Sequence, residues 1–198
     1  YRANIFRQVE TLREQDKTAR LVELLKEEGR RPAVVYTRTR KDAENLSYEL
    51  GKAGFSVKSY HAGMPPETRG LVQDEFLAGA ADVLVATIAF GMGIDKPDVR
   101  SVVHYHPPAS LEAYVQESGR AGRDGLPSRC TVLASRTQLP VLENFVYGDT
   151  PDRSAIVTLL EILLQSGGEW EFSLLRLSNE TNIRQLPLKT LLVYLEMA

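Results

Sequence analysis

The chain has 198 residues, enough for one large or two small domains with a real core, and its 43% hydrophobic and 25% charged residues are ordinary globular composition. No apolar run approaches the roughly 20 residues of a membrane helix, and the opening YRANIFRQVE lacks the apolar core of a signal peptide, so an intracellular protein is expected, cytoplasmic or in the nucleoid if bacterial. The formal net charge of -2 gives no global basic signature, so nucleic-acid binding would have to rest on local clusters such as Arg30-Arg31 or Arg38, Arg40 and Lys41.

In chain order, a short opening strand (Ile5 to Glu10) is followed by a helix with Leu21, Leu24 and Leu25 on one face, closed by Gly29 before Pro32. Alternation then predicts strands at 33–37, 57–61, 82–87, 101–106 and 128–135, with helical stretches between most of them. Ala43, Leu46 and Leu50 form one helical stripe, and Leu111, Tyr114 and Val115 another, both expected in the core. The single cysteine, Cys130, lies in the alternating run SRCTVLAS and is expected to be a buried strand residue. Such strand and helix repetition implies the α/β class, a parallel sheet covered by helices on both faces.

From about Thr150 the pattern changes. Thr150 is the expected cap and Pro151 the first helical residue, followed by a stripe of Ile156, Leu159, Leu160, Leu163 and Leu164. Gly167-Gly168 closes that helix, 173–181 reads as a second, and Pro187 opens a third with Leu188, Leu191, Leu192 and Leu195 inward. The expected division is thus an α/β lobe over 1–148 and a helical unit over 149–198 that resembles the front of a winged helix. Arg184 and Lys189 are the only basic residues near the later helix of its helix-turn-helix, the one that would read a groove, which leaves packing and DNA reading equally open.

Two segments carry the chemistry. QESGRAGRDG (116–125) sets two arginines three apart beside glycines. This suits a phosphate site, since a guanidinium is always charged and can bond two oxygens at once; a basic helix end with a turn is the alternative. DVLVATIAFGMGIDKPDVR (82–100) runs from a buried-looking strand into a glycine-spaced loop holding Asp95, with Pro97 stopping any continuation. Open parallel sheets place ligands at the carboxyl ends of their strands, where this loop begins.

VLVATIAFGMGIDKPDVR resembles motif V, and QESGRAGRDG motif VI, of superfamily 2 helicases; AVVYTRTR (33–40) resembles motif IV. With YHAGM (60–64) the set is similar nearly residue for residue to the RecQ family of DNA helicases, over about Tyr1 to Ser135. DEAD-box RNA helicases normally carry a histidine in the place of Gln116, which disfavours that branch. The resemblance implies the second RecA-like lobe of an ATP-dependent DNA helicase, with ATP and Mg2+ held mainly by a first lobe of the same polypeptide. No G-x-x-x-x-G-K-[ST] phosphate loop and no DEAD- or DEAH-like box occurs in this sequence, so the chain alone is expected not to hydrolyse ATP.

By the same resemblance Arg123 is the arginine finger, Arg120 its neighbour on the phosphate, and Gln116 a hydrogen-bonding reporter of that group. Gly91 and Gly93 would permit close backbone approach, and Asp95 would accept from the ribose or the opposed lobe. Thr39, Arg40, His61 and Thr87 would contact the DNA backbone, at single-strand/duplex junctions, with movement 3′ to 5′. Two departures stand out. Thr37-Arg38 replaces a commoner cysteine-asparagine type of pair, and no cysteine follows Cys130, so the family's usual zinc site, which needs about four ligands, is not expected. That points to a zinc-less RecQ branch or a related superfamily 2 member. The competing reading is a helicase-like lobe that binds protein or nucleic acid without catalysis.

Overall fold

The computed structural model describes residues 2–87, 95–138, 150–165 and 172–196. The chain divides into two compact units, Tyr1–Gln138 and Leu139–Ala198.

In the first unit the six strands are β1 (Ile5–Thr11), β2 (Ala33–Tyr36), β3 (Val57–Tyr60), β4 (Val83–Ala86), β5 (Ser101–His104) and β6 (Ser128–Ala134). They form one sheet in the order β1-β6-β5-β2-β4-β3, and every pairing is parallel. Parallel strands need crossover connections, which cover both faces and bury the central strands. β2, β4 and β5 are accordingly buried along their whole length.

The helices are α1 (Lys17–Lys26), α2 (Arg40–Lys52), α3 (Pro66–Leu77) and α4 (Leu111–Ser118). Strand alternation divides the core in two. Val34 and Tyr36 of β2 pack in one cluster with Val72 and Phe76 of α3. Ala33 and Val35 pack in the other with Leu21, Leu24 and Leu25 of α1 and with Ala43, Leu46 and Leu50 of α2. Each such leucine or phenylalanine contributes about 1.5–3 kcal/mol by leaving water.

Five strands end earlier than alternation predicts, at Tyr36, Tyr60, Ala86, His104 and Ala134. The next residue often keeps one ladder bond: Thr37 donates its N–H to Ala86, Thr87 to Tyr60, and Tyr105 to Tyr36. Beyond that bond the backbone leaves the sheet to build the loops of its carboxyl edge. The stripe on α4 needs a larger correction, because Leu111 and Val115 are 72% and 61% exposed. α4 instead turns Tyr114, Glu117 and Ser118 inward, a polar face that hydrophobic periodicity cannot detect.

In the second unit, α5 (Arg153–Gln165), α6 (Leu174–Thr181) and α7 (Gln185–Glu196) pack around Ala155, Leu159, Leu177, Ile183 and Leu188. α5 starts at Arg153, with Asp152 accepting the Ala155 N–H at 2.8 Å, so Asp152 does the capping that Thr150 was expected to do. Gly167-Gly168 lies outside the described residues. α6 ends on Asn182 in the left-handed conformation, a residue type that tolerates it, and the chain turns directly into α7. Among the described residues no helix is long and apolar enough to cross a membrane.

Candidate functional site

β4 and β5 flank β2 on opposite sides in the sheet. Asp95 lies between them in the chain, after the carboxyl end of β4, the edge at which open parallel sheets place their ligands. Lys96 anchors the stretch after it, its ammonium donating to the Leu77 carbonyl at 3.3 Å and pairing with Asp98 at 3.2 Å. Gly91 and Gly93 lie outside the described residues.

α4 is capped by Ser110, which accepts the Ala113 N–H at 3.2 Å, and the two arginines follow in the turns after it. Gly122, between them, has φ +55°, and a Cβ there would meet Ser128 Oγ at 2.4 Å and the Leu126 carbonyl at 2.8 Å. Only glycine fits that backbone and that space. Its N–H donates to Val99 at 2.8 Å, while its carbonyl accepts from Asn4 at 2.8 Å and from Arg2. Asp124 closes the turn with Arg100 at 2.5 Å, and that guanidinium holds the Asp124 carboxyl below its ordinary range. The loop carrying the arginines is thus tied to the sheet's own framework.

Arg123 and Asp95 meet. Nη1 of Arg123 donates to Asp95 Oδ1 at 2.6 Å, with the side chains 38% and 80% exposed. A pair so open to water is worth only about 0–1 kcal/mol, so an anion of higher charge can take the guanidinium. Arg120 is buried; burial drives the Tyr36 phenol well above its ordinary range, and the Arg120 charge pulls it back. Gln116 is exposed on α4. The structure therefore brings Arg123 and Asp95 together and sets Arg120 deeper.

The four residues expected on DNA differ in freedom. The Thr39 hydroxyl is engaged in a capping box: it donates to Asp42 Oδ2 at 2.7 Å and accepts the Asp42 N–H at 3.1 Å. Arg40 is exposed at the first turn of α2 and lies along Gly63, where a Cβ would meet its Nη1 at 2.8 Å. His61 is buried, with Nε2 3.1 Å from Glu44. Thr87 sits half-buried just past β4. The Arg30-Arg31 cluster is neutralised, Arg30 by Glu27 at 2.7 Å and Arg31 by Asp82 at 3.1 Å.

Sequence reasoning missed the buried pair His104 and Glu117 behind the arginine loop, 2.9 Å apart. It also missed Lys17, fully buried, which donates to the Tyr105 carbonyl at 2.9 Å and whose ammonium is disfavoured by burial. Both are polar residues on core-facing positions. Among the described residues no three His, Cys, Asp or Glu side chains converge as a metal site would require.

An all-parallel lobe with arginines and an aspartate gathered at its carboxyl edge defines the RecA-like class of helicase lobes. The helicase conserved C-terminal domain profile matches residues 16–125, and the chain belongs to that family. It is 55% identical over 102 residues to a RecQ-like DNA helicase, blm-1, of Caenorhabditis elegans, covering 52% of this chain and 10% of that protein. The probable ATP-dependent DNA helicase RecS of Bacillus subtilis is 37% identical over 149 residues, 75% of this chain and 30% of its own length. The chain thus spans a minor part of each of these relatives.

Among solved structures, the Escherichia coli DEAD-box protein SrmB superposes with a TM-score of 0.63 at 28% identity, covering 71% of this chain and 82% of that one. A DEAD box protein of Methanococcus jannaschii gives 0.62 at 29% identity, with 72% and 40% covered. The fold is that of a superfamily 2 helicase C-terminal lobe, and the sequence is RecQ-like.

Proposed function

We propose that the first unit is the second motor lobe of an ATP-dependent DNA helicase, lending Arg123 to the γ-phosphate of ATP held by a first lobe of the same polypeptide. The observation that supports this most directly is the state of Arg123: half-exposed, and tied through one guanidinium nitrogen to a mostly exposed carboxylate. Such a residue fits a phosphate, since the exposed ion pair is cheap to exchange for a group of higher charge. Bound ATP supplies a phosphoryl group whose oxygens gather charge during transfer. Arg123 donates to those oxygens, buried Arg120 adds its charge from behind, and the exposed Gln116 amide hydrogen-bonds nearby. Asp95, once released, accepts a ribose hydroxyl. Magnesium ligands come from the first lobe.

DNA phosphates lie along the carboxyl edge of β2, β3 and β4, where Arg40, the backbone at Thr39, His61 and Thr87 are gathered. Closure and opening of the cleft move the lobe along the strand, 3′ to 5′ as in RecQ helicases, working at single-strand/duplex junctions. In the second unit, α6 and α7 begin a winged-helix-like element.

The test is Arg123→Ala in the complete protein. DNA-stimulated kcat falls by about 10³ to 10⁵ while nucleotide binding changes little, because the arginine acts mainly in the transition state. A kcat within a few-fold of wild type moves the finger to Arg120.

A further inference from the structure

Glu117 stands between Gln116 and Ser118 on α4, and its side chain is only 10% exposed. Burying a carboxylate costs several kcal/mol unless a partner meets it. The partner is His104, the last residue of β5, itself fully buried, with Nε2 2.9 Å from Glu117 Oε2. An ionised carboxylate only accepts, so Nε2 carries the hydrogen. The other ring nitrogen, Nδ1, faces Cys130 Sγ at 3.8 Å. Burial pushes that thiol up to about 11, so it stays protonated at neutral pH and presents a donor. The ring is thus set with Nε2 toward α4 and Nδ1 toward β6.

The imidazole cannot turn aside. Tyr36 stacks on it at 5.6 Å with the planes 19° apart, and Tyr114, one turn before Glu117 on α4, packs at 5.4 Å. The Arg120 charge also bears on the Tyr36 phenol, drawing it back from the rise that burial causes. The Arg120 N–H donates to the Glu117 carbonyl at 3.2 Å. A shift of Glu117 therefore moves Arg120 through the backbone and, beyond it, the loop to Arg123.

We infer that Glu117, gripped by His104, is a positioning residue: the pair clamps α4 to β5 and sets where Arg120 and Arg123 stand. This rests on the nucleotide-facing role proposed above. An apolar pair of the same volume would hold α4 at least as strongly, but only a directional bond fixes its rotation and height.

The experiment uses the complete protein and follows DNA-stimulated ATP hydrolysis of Glu117→Gln and Glu117→Asp, each with and without Arg123→Ala. Glutamine keeps an acceptor at the same reach and recovers most of the turnover. Aspartate is one methylene short, and kcat falls by about 10- to 100-fold, as for catalytic groups misplaced by about 1 Å, while KM for ATP stays within about two-fold. In the Arg123→Ala background the aspartate costs little further, since both changes act on one unit. His104→Asn shortens the clamp from the strand side and reproduces the same split.

An active wild type whose Glu117→Asp and His104→Asn variants keep kcat overturns the clamp alone. So does an equal fractional loss in both backgrounds, which marks a general structural role. A complete wild-type protein without turnover overturns the reading of the site and this inference with it.

Discussion

Arg123 and Asp95 stand 28 residues apart in the chain and 2.6 Å apart in space. This ion pair joins the loop after β4 to the loop after α4, and both partners face water. Asp95→Asn therefore leaves the folding stability of this chain within about 1 kcal/mol, as exposed pairs do. In the complete protein it lowers turnover, because Arg123 loses its guide. Chemical denaturation and steady-state ATP hydrolysis separate the two effects, and a loss of several kcal/mol would make the pair structural.

Neighbouring Thr39 and Arg40 have different expected outcomes. Arg40→Ala weakens DNA binding about equally for all sequences and reduces the salt slope by about 1, the mark of one phosphate contact. Thr39→Ala removes a helix cap whose hydroxyl is already engaged with Asp42, so it costs about 1 kcal/mol of stability. Fluorescence anisotropy over a salt series and urea unfolding report the two. Sequence-dependent losses from Arg40→Ala would place that residue on a base.

Purified alone, this chain shows no ATP hydrolysis with or without DNA, since no phosphate loop or acidic box is present in it. Phosphate release from the isolated chain measures this. Robust DNA-stimulated turnover would sink the two-lobe mechanism.

Cys130 makes the stability sensitive to alkali. Its thiol titrates near 8.5 in the unfolded chain but is pushed by burial up to about 11 in the fold. The folded state thus holds the proton more tightly; the stabilisation is complete below about 8.5 and fades as pH rises toward the folded value. Unfolding midpoints of wild type and Cys130→Ala at neutral and alkaline pH give the comparison, with the wild type losing more. Parallel losses in both would remove the thiol as the cause.

Much of this protein was legible in the sequence by itself. Strand alternation and the stripe Ala43, Leu46 and Leu50 are local signals, set by which residues escape water, and they yield the parallel sheet and its covering helices. The arginines of 116–125 and the aspartate after β4 were legible because charge and glycine spacing are written in adjacent residues. Tertiary structure alone decided the partners. Arg123 meets Asp95 only because β4 and β5 lie on either side of β2, and Gly122 is needed only because Ser128 and Leu126 crowd its Cα. Leu111 and Val115 were misplaced, and Glu117 overlooked, for one reason. Hydrophobic pattern assumes that buried faces are apolar, whereas α4 buries a carboxylate whose desolvation is offset by a histidine 13 residues back along the chain.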